Sequence, residues 1–278
     1  MAADNWILYQ NALVWHGSIG EESPTRDDAK MAVRSKKAMF ARWTSDFDTT
    51  TVNEWWYCLC DSFTPLSELK SKQRYRIKRG LGNCRVERLH KGVIKEYVER
   101  FFEIAEDCFA DYPDKYRPKP NKEEFCNHLC QLVDTDFWIC RNVTDNEIIG
   151  YGYCRRKGVD VFLEQVKIPT RYLNTEANAA LAYSMVEYYL HNLHFRYLVD
   201  GERNIKHETN YQAFLVQVIG FRYVFCKLNV EYAPMMAIAV KMLFPFKNVI
   251  EYMGRKSRFF YNVYCVLKQE EICRKCLL

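Results

Sequence analysis

The fold class is indicated most clearly by one segment, Val159-Asp-Val-Phe-Leu-Glu-Gln-Val-Lys-Ile168-Pro169. Its β-branched and aromatic residues are typical of a strand, and Pro169 ends that strand. After a short polar turn, residues 177–190 are predicted to form a long helix. A strand that leads into a helix in this way indicates a layered α/β domain.

The segments on both sides of this stretch are also predicted to be strands and helices. Asn121 and Glu124 resemble a helix capping box, and Gly220 suits the end of a helix. The predicted strands cover residues 84–89, 137–142, 148–154, 159–168, 197–200 and 221–232, and the predicted helices cover residues 93–110, 121–133, 177–190 and 208–219. This succession predicts a mixed α/β architecture.

A basic stretch precedes these elements: Leu66-Ser-Glu-Leu-Lys-Ser-Lys-Gln-Arg-Tyr-Arg-Ile-Lys-Arg-Gly80. As a helix it would carry leucine and isoleucine on one side and basic residues along both edges of that side. Gly80 and Gly82 are predicted to end it. The functional interpretation is a phosphate-binding helix, for nucleic acid, a nucleotide sugar or a lipid phosphate. The alternative is a solvated basic face without a ligand.

The length, the charge and the cysteine count indicate the class of protein to which this chain belongs. A chain of 278 residues with a formal charge of +5 can hold one large domain or two modest ones. Twelve cysteines in a chain of this length do not indicate a small secreted disulfide scaffold, and the first residues do not resemble a secretory signal. We therefore expect a cytoplasmic protein with reduced thiols. The pair Cys273/Cys276, the region 126–130 and the pair His191/His194 each lack four converging zinc ligands, so no metal is predicted.

The two ends of the chain differ in pattern. Residues 1–65 favour strands, with an exposed loop predicted over residues 17–28. Residues 234–244 and 253–273 are predicted to be helices that pack on the core. The second of these segments mixes aromatic side chains with arginine and lysine. Peripheral contact with an anionic membrane surface is therefore an open alternative.

The order of elements over residues 83–232 resembles the GNAT superfamily of acyltransferases. Val166-Lys-Ile168-Pro169 leads into a turn and a long helix, and Asn210-x-x-Ala213 is followed by Gly220-Phe221-Arg222. Residues 66–89 are similar to the Fem family of peptidyl transferases and related bacterial envelope proteins, through Leu69-x-Ser71-Lys72-x-Arg74-x-x-Ile77-Lys78-Arg79. The resemblance implies a mixed central sheet flanked by helices. It also implies a reduced N-terminal lobe (1–82), a GNAT-like domain (83–232) and a C-terminal helical extension (233–278).

The same resemblance implies where an acyl donor would bind. In this fold the fourth strand splays from the fifth, so its edge can pair with the pantetheine arm of acetyl-CoA or another acyl-CoA. The turn that follows would then hold the pyrophosphate. Glu176 does not fit the family's turn, because its carboxylate would repel a phosphate. An aminoacyl-tRNA is therefore an open alternative donor. The implied donor-binding residues are Gln165, Val166, Lys167, Ile168, Arg171, Asn174 and Thr175.

Acylation of an amine needs a base and donors for the developing oxyanion. Glu164 is a candidate base, although it is equally an outward-facing strand carboxylate. His207 is a candidate base or acid at the start of the penultimate helix, or a plain surface residue. The family's usual tyrosine late in that helix is missing, and Tyr211 is the candidate substitute.

The predicted function is acyl transfer, N-acyl or N-acetyl, to an amino sugar or another precursor of cell-envelope glycan. Aminoacyl-tRNA-dependent transfer and a catalytically silent GNAT-like binding module stay open as alternatives. Arg203 either binds substrate phosphate or solvates a loop. We expect a cytoplasmic protein, with peripheral contact to the inner face of the membrane as an open alternative. The candidates for holding a phosphorylated acceptor on the basic helix are Lys72, Arg74, Arg76 and Lys78.

Overall fold

A computed structural model describes residues 5–9, 11–21, 23–90, 92–112, 117–206 and 210–276. The chain forms two compact units. The first unit comprises Met1–Tyr57, Glu202–Thr209 and Tyr223–Leu278, and the second comprises Cys58–Gly201 and Asn210–Arg222. The division of the sequence into 1–82, 83–232 and 233–278 stays a prediction.

The helices and strands follow one another in an α/β order. They are β1 (Trp6–Tyr9), β2 (Ala12–Trp15), α1 (Arg26–Ser35), β3 (Phe40–Ser45), β4 (Trp56–Cys60), α2 (Ser71–Asn83), β5 (Cys84–Arg88), α3 (Val98–Ala110), α4 (Lys122–Gln131), β6 (Thr135–Asn142), β7 (Ile148–Lys157), β8 (Asp160–Lys167), α5 (Ala177–Val186), β9 (Tyr197–Glu202), α6 (Tyr211–Phe214), β10 (Arg222–Phe225), β11 (Lys227–Tyr232), α7 (Pro234–Leu243), α8 (Lys247–Gly254) and α9 (Arg258–Lys275).

The first unit contains a four-stranded sheet in the order β1-β2-β3-β11. Its core is rich in tryptophan, with Trp6 and Trp43 in edge-to-face contact beside Leu13. Helix α1 also packs in this core, although residues 17–28 were predicted to be an exposed loop. That prediction is wrong from Arg26 onward. The sequence shows no broad apolar stripe there, and the helix depends on a capping box between Thr25 and Asp28.

The second unit carries most of a seven-stranded sheet in the order β10-β4-β9-β8-β7-β6-β5. Strands β5 to β8 are antiparallel neighbours, and β9 pairs in parallel with β8. Helix α5 packs against this sheet through an almost continuous row of buried residues, among them Leu181 and Met185. The predicted mixed sheet flanked by helices is confirmed.

Two of the predicted boundaries that are wrong have a clear physical cause. Helix α2 continues through Gly80 to Asn83. Gly80 does not end the helix; a glycine stands there because helix α5 approaches α2 too closely for a side chain. The predicted strand over residues 221–232 is two strands, β10 and β11, in different sheets. The break lies at Cys226, whose backbone N–H donates to the carbonyl oxygen of Trp55. Apolar character continues through the break, so the sequence pattern does not reveal it.

The penultimate helix is shorter than predicted among the described residues. Helix α6 begins at Tyr211 and widens into a π-helical turn over Leu215–Ile219. It ends at Gly220 in the left-handed conformation, as predicted for a helix end. The predicted start at Glu208 lies outside the described residues. In the part of the chain that is described, no helix is long and apolar enough to cross a membrane.

Candidate functional site

The candidate site of the second unit begins where β8 and β9 separate. Their parallel pairing covers three residue pairs and ends at Phe162 opposite Val199. Strand β8 continues for five more residues, to Lys167, paired with β7. Glu164 is the extra residue of a bulge in that pairing, between Leu163 and Gln165. Bulges bend and twist a strand, and they are common beside active sites. The predicted splay between these two strands is therefore present.

The side chains of the splayed part of β8 have different environments. The Tyr151 hydroxyl donates to the side chain of Gln165 at 3.3 Å. The Lys167 ammonium lies 4.5 Å from the centre of the Phe109 ring, and burial lowers the pKa of this lysine. Val166 and Ile168 pack against glycines of β7: a Cβ atom on Gly150 would lie 2.5 Å from Cγ1 of Ile168, and one on Gly152 would lie 3.2 Å from Cγ2 of Val166. The residues predicted to bind an acyl arm thus lie along one strand edge, with mostly apolar surroundings.

Glu164, the candidate base, is held at the surface. Its carboxylate accepts a hydrogen bond from Nε of Arg155 at 2.7 Å. The same oxygen lies 2.6 Å from Nη2 of Arg155. An exposed, paired carboxylate fits the outward-facing alternative better than it fits a base that awaits a proton.

The turn after β8 is a 3-10 segment over Thr170–Thr175. Arg171 forms an ion pair with Asp107, and Asn174 is exposed. The Thr175 hydroxyl donates to the carbonyl oxygen of Tyr172 at 2.7 Å, and Asn83 donates to the carbonyl oxygen of Thr175 at 3.2 Å. Arg171 and Thr175, two of the residues predicted to meet a pyrophosphate, therefore already have partners within the chain.

Glu176, the residue that departs from the family's turn, is tied to the basic helix. Arg76 donates from Nε and Nη2 to the two carboxylate oxygens of Glu176, at 2.9 and 2.8 Å. The guanidinium of Arg76 also lies 5.2 Å from the centre of the Phe214 ring. A bidentate pair of this kind, in which one guanidinium binds both carboxylate oxygens, is strong and has a defined geometry.

Helix α2 lies directly against the start of α5. A Cβ atom on Gly80 would lie 2.4 Å from the carbonyl oxygen of Glu176 and 3.0 Å from the backbone nitrogen of Ala180. The backbone nitrogens of Ala179 and Ala180 already donate to that same Glu176 oxygen. The N-terminal end of α5 is therefore closed by protein, in a turn where the resemblance implies a phosphate site.

The predicted acceptor-binding residues do not form one cluster. Arg76 is committed to Glu176, and Arg74 donates to the backbone carbonyl of Ser67 at 3.3 Å. Lys72 and Lys78 are exposed on α2. Arg203 belongs to the first unit, where it donates to the backbone carbonyl of Glu54 at 2.8 Å. His207 lies outside the described residues.

Tyr211 lies in the interior of the second unit. Its hydroxyl oxygen is buried and has no hydrogen-bond partner among the described residues. Burial, followed by the negative charge of Asp200, raises the pKa of Tyr211 well above its ordinary value. Asp200 accepts a hydrogen bond from Gln212 at 3.0 Å, and burial raises the pKa of Asp200 to about 6. A carboxyl with a pKa near neutrality beside an unpartnered hydroxyl is a candidate acid–base pair.

Sequence reasoning missed Asp200. The available signal was a carboxylate at the end of the predicted strand Tyr197-Leu-Val-Asp200. A carboxylate at the end of a buried strand is costly unless it contacts water or a polar partner. Such a position can therefore indicate a functional residue. No group of three His, Cys, Asp or Glu side chains in the described ranges could hold a metal ion.

The first unit has a shallow pocket of about 250 Å³. Its wall combines aromatic, hydroxyl and acidic side chains, including Trp15, Thr44, Asp46, Phe47 and Tyr57. None of the residues predicted from the sequence as site residues lines it.

Comparison with known proteins identifies the fold but not a family. No family model and no curated protein matches the chain. Among solved structures, the C-terminal domain assigned to a lysylphosphatidylglycerol synthetase of Agrobacterium fabrum matches with a TM-score of 0.54 and 11% identity, over 85% of this chain and 82% of that chain. L-PGS from Bacillus licheniformis matches with a TM-score of 0.50 and 10% identity, over 96% and 84%.

The fold is GNAT-like. The strand order of the second unit and these likenesses confirm the predicted fold class and the predicted resemblance. FemX is a further match, with a TM-score of 0.49 and 9% identity over 71% of this chain and 72% of that chain. At such identities the likeness shows the fold alone.

Proposed function

We propose that this chain is an acyltransferase that uses an aminoacyl-tRNA as its donor, in preference to acetyl-CoA or another acyl-CoA. The observation that carries the proposal is the closure of the start of α5 by Arg76, Glu176 and the backbone of α2. The proposal also draws on the names of the matched structures, since a lysylphosphatidylglycerol synthetase is named for a lysyl group joined to a phospholipid.

A pyrophosphate at the start of α5 would be unfavourable. It would approach the Glu176 carboxylate, which repels it, and Arg76 is already neutralised by that carboxylate. The helix dipole would still favour an anion, but the backbone of α2 occupies the approach at Gly80. A donor whose activated end carries no pyrophosphate avoids these costs. The aminoacyl ester at the end of a tRNA is such a donor.

The splayed edge of β8 offers a place for the acyl group. Backbone groups of Leu163 to Lys167 extend beyond the last pair with β9. An extended donor can add to such an edge through backbone hydrogen bonds. Backbone N–H groups on this edge can also stabilise the oxyanion that forms when an amine attacks the ester carbonyl.

Asp200 and Tyr211 supply the proton transfers in this proposal. The acceptor amine attacks the ester carbonyl, the Asp200 carboxylate takes the proton of the attacking nitrogen, and a C–N bond forms. The C–O bond to the tRNA ribose then breaks, and the Tyr211 hydroxyl donates a proton to the leaving oxygen. A base with a pKa of about 6 is suited to this step near neutral pH.

The acceptor in this proposal is an amino sugar or another envelope glycan precursor that carries phosphate. The exposed residues Lys72 and Lys78 of α2 are its candidate contacts. The proposed place of action is the cytoplasm, at the inner face of the membrane.

The experiment compares the two donor classes on the same protein. Thermal unfolding is followed with acetyl-CoA, with deacylated tRNA and with total tRNA charged with labelled amino acids. A ligand that binds only the folded state raises the unfolding temperature. We expect stabilisation by tRNA that weakens steeply with salt, and none by acetyl-CoA. Stabilisation by acetyl-CoA would overturn the proposed donor.

Transfer is then measured as label that moves from tRNA into an envelope extract. The Asp200→Asn variant should bind charged tRNA and fail to transfer its label. Binding by the unsubstituted protein without any transfer would favour the catalytically silent module instead.

A further inference from the structure

The C-terminal helices of the first unit expose an unusual amount of apolar surface. On α7 the residues Met235, Ile238 and Met242 recur at helical spacing, and Met235 and Met242 are 85% and 68% exposed. The spacing places all three on one side of the helix. Isolated exposed apolar residues are normal on a protein surface, but a continuous stripe indicates a contact surface.

Further exposed apolar residues follow α7 in the next elements of the chain. Phe246, in the 3-10 turn before α8, is 60% exposed, and Val249 and Tyr252 are exposed on α8. Phe259 at the start of α9 is 69% exposed. We call the surface formed by Met235, Ile238, Met242, Phe246, Val249, Tyr252 and Phe259 the apolar tail face.

The apolar tail face is not the side through which these helices pack in their own unit. Val240 and Ile250 are buried on the other side of α7 and α8, where they cluster with Leu267 of α9. Both helices therefore carry a second apolar side in addition to the one that they bury. A helix that is apolar beyond its packed side needs another partner.

The exposed charged residues within residues 234–259 are all basic. Lys241, Arg255, Lys256 and Arg258 are exposed between and beside its residues. Within residues 234–259 the sequence contains a single acidic residue, Glu251. A basic rim around an apolar face is the composition of helices that lie in the interface of an anionic membrane.

We infer that the apolar tail face binds the surface of an anionic lipid membrane. A second copy of the chain is a poorer occupant, because it would bring the same basic rim against this one. The helices would lie in the headgroup region with the apolar tail face inserted, since none of the described helices can span a bilayer. The sequence placed a membrane contact on residues 253–273, and Phe259 of that segment belongs to the apolar tail face. The structure half-buries Phe260, Tyr261 and Tyr264 of that segment.

Co-sedimentation of the full chain with lipid vesicles tests this inference. Vesicles contain phosphatidylcholine alone or equal parts of phosphatidylglycerol and phosphatidylcholine. We expect binding to the anionic vesicles that weakens with salt. Lys256→Gln should weaken that binding about fivefold, because a basic residue near such a surface contributes about 1 kcal/mol. The same change should have no effect with phosphatidylcholine alone.

Apolar variants separate insertion from simple charge attraction. Ile238→Ser and Met242→Ser should each weaken binding about tenfold, since each removes an inserted apolar side chain. Met31→Ser is the matched control, because Met31 is an exposed methionine of α1 outside the apolar tail face. Circular dichroism of each variant establishes that the fold is kept.

Two outcomes would overturn the inference. The first is equal sedimentation with and without anionic vesicles. The second is a dimer in analytical ultracentrifugation that Met242→Ser dissociates, which would assign the apolar tail face to a second copy. Neither outcome depends on acyl transfer, so the proposed transfer reaction stands or fails separately from this inference.

Discussion

At the residue scale, Asp200 combines a charge with an interior position. Its carboxyl has Gln212 as a hydrogen-bond partner, and burial raises its pKa to about 6. Between the ordinary pKa of aspartate and about 6, the folded protein keeps a proton that the unfolded chain has released. The free energy of unfolding therefore falls as the pH rises through this range.

Asp200→Asn should change activity and stability in opposite directions. We expect a loss of transfer of about a hundredfold or more, because the proton acceptor is removed. At pH 7.5 the variant should be more stable by about 2 kcal/mol, because a buried charge is removed. Urea unfolding at pH 4 and 7.5 and the pH profile of kcat/KM measure both effects.

If Asp200 is the base, the activity of the unsubstituted protein should rise with pH to about 6 and then reach a plateau. Glu164→Gln is the matched control, because Glu164 is a surface carboxylate paired with Arg155. If Glu164→Gln loses activity and Asp200→Asn does not, then Asp200 is not the base.

Tyr211→Phe gives a second test at this scale. The hydroxyl of Tyr211 is buried without a described partner, so its removal breaks no observed hydrogen bond. We expect stability to stay equal or to rise by about 1 kcal/mol. Transfer should fall about tenfold to a hundredfold if the hydroxyl protonates the leaving oxygen. Thermal unfolding and single-turnover transfer measure the two quantities, and a marked loss of stability would indicate a structural hydrogen bond instead.

At the element scale, the contact of α2 with α5 closes the turn where a phosphate would bind. Two glycines of α2 have contrasting surroundings. A Cβ atom on Gly80 would lie 2.4 Å from the Glu176 carbonyl oxygen, whereas a Cβ atom on Gly82 has no neighbour within 4 Å. The closeness of the two helices is therefore specific to Gly80.

Gly80→Ala should destabilise the protein by about 3 kcal/mol, because α2 must move away from α5 to accommodate the methyl group. Gly82→Ala in the same helix should stabilise it by about 0.5–1 kcal/mol, because alanine favours the helix and nothing obstructs its side chain. Urea unfolding of both variants measures the difference. Equal effects would contradict the close contact.

At the scale of the whole molecule, the second unit is assembled from two separate parts of the chain. Cys58–Gly201 and Asn210–Arg222 belong to it, so this unit includes residues before Asn83. Leu59 on β4 and Ile77 on α2 are completely buried.

A chain that begins at Asn83 should be insoluble when expressed alone. It would lack β4, which neighbours β9 in the sheet, and α2, which covers the start of α5. Co-expression with residues 1–82 should restore soluble protein, which serves as the control. A soluble chain from residue 83 with cooperative unfolding would show that the boundary predicted at residue 82 separates independent domains.

The order of the elements followed from the sequence because strand and helix periodicities are local. The strand that ends at Pro169, the hairpin of β6 and β7, and the helix end at Gly220 all depend on neighbouring residues. The break at Cys226 did not follow, because its cause is a hydrogen bond to Trp55, far away in the sequence.

The mixed α/β order, the GNAT-like resemblance and the basic helix could thus be predicted from the sequence. How these residues are used became visible only in the folded chain. Arg76 meets Glu176 across 100 positions, the Tyr211 hydroxyl is buried near Asp200, and the second apolar side of α7 faces outward. The physical reason is that periodicity reports which residues are apolar. Ion pairing, burial of a polar atom and the choice between two apolar faces depend on partners brought together by folding.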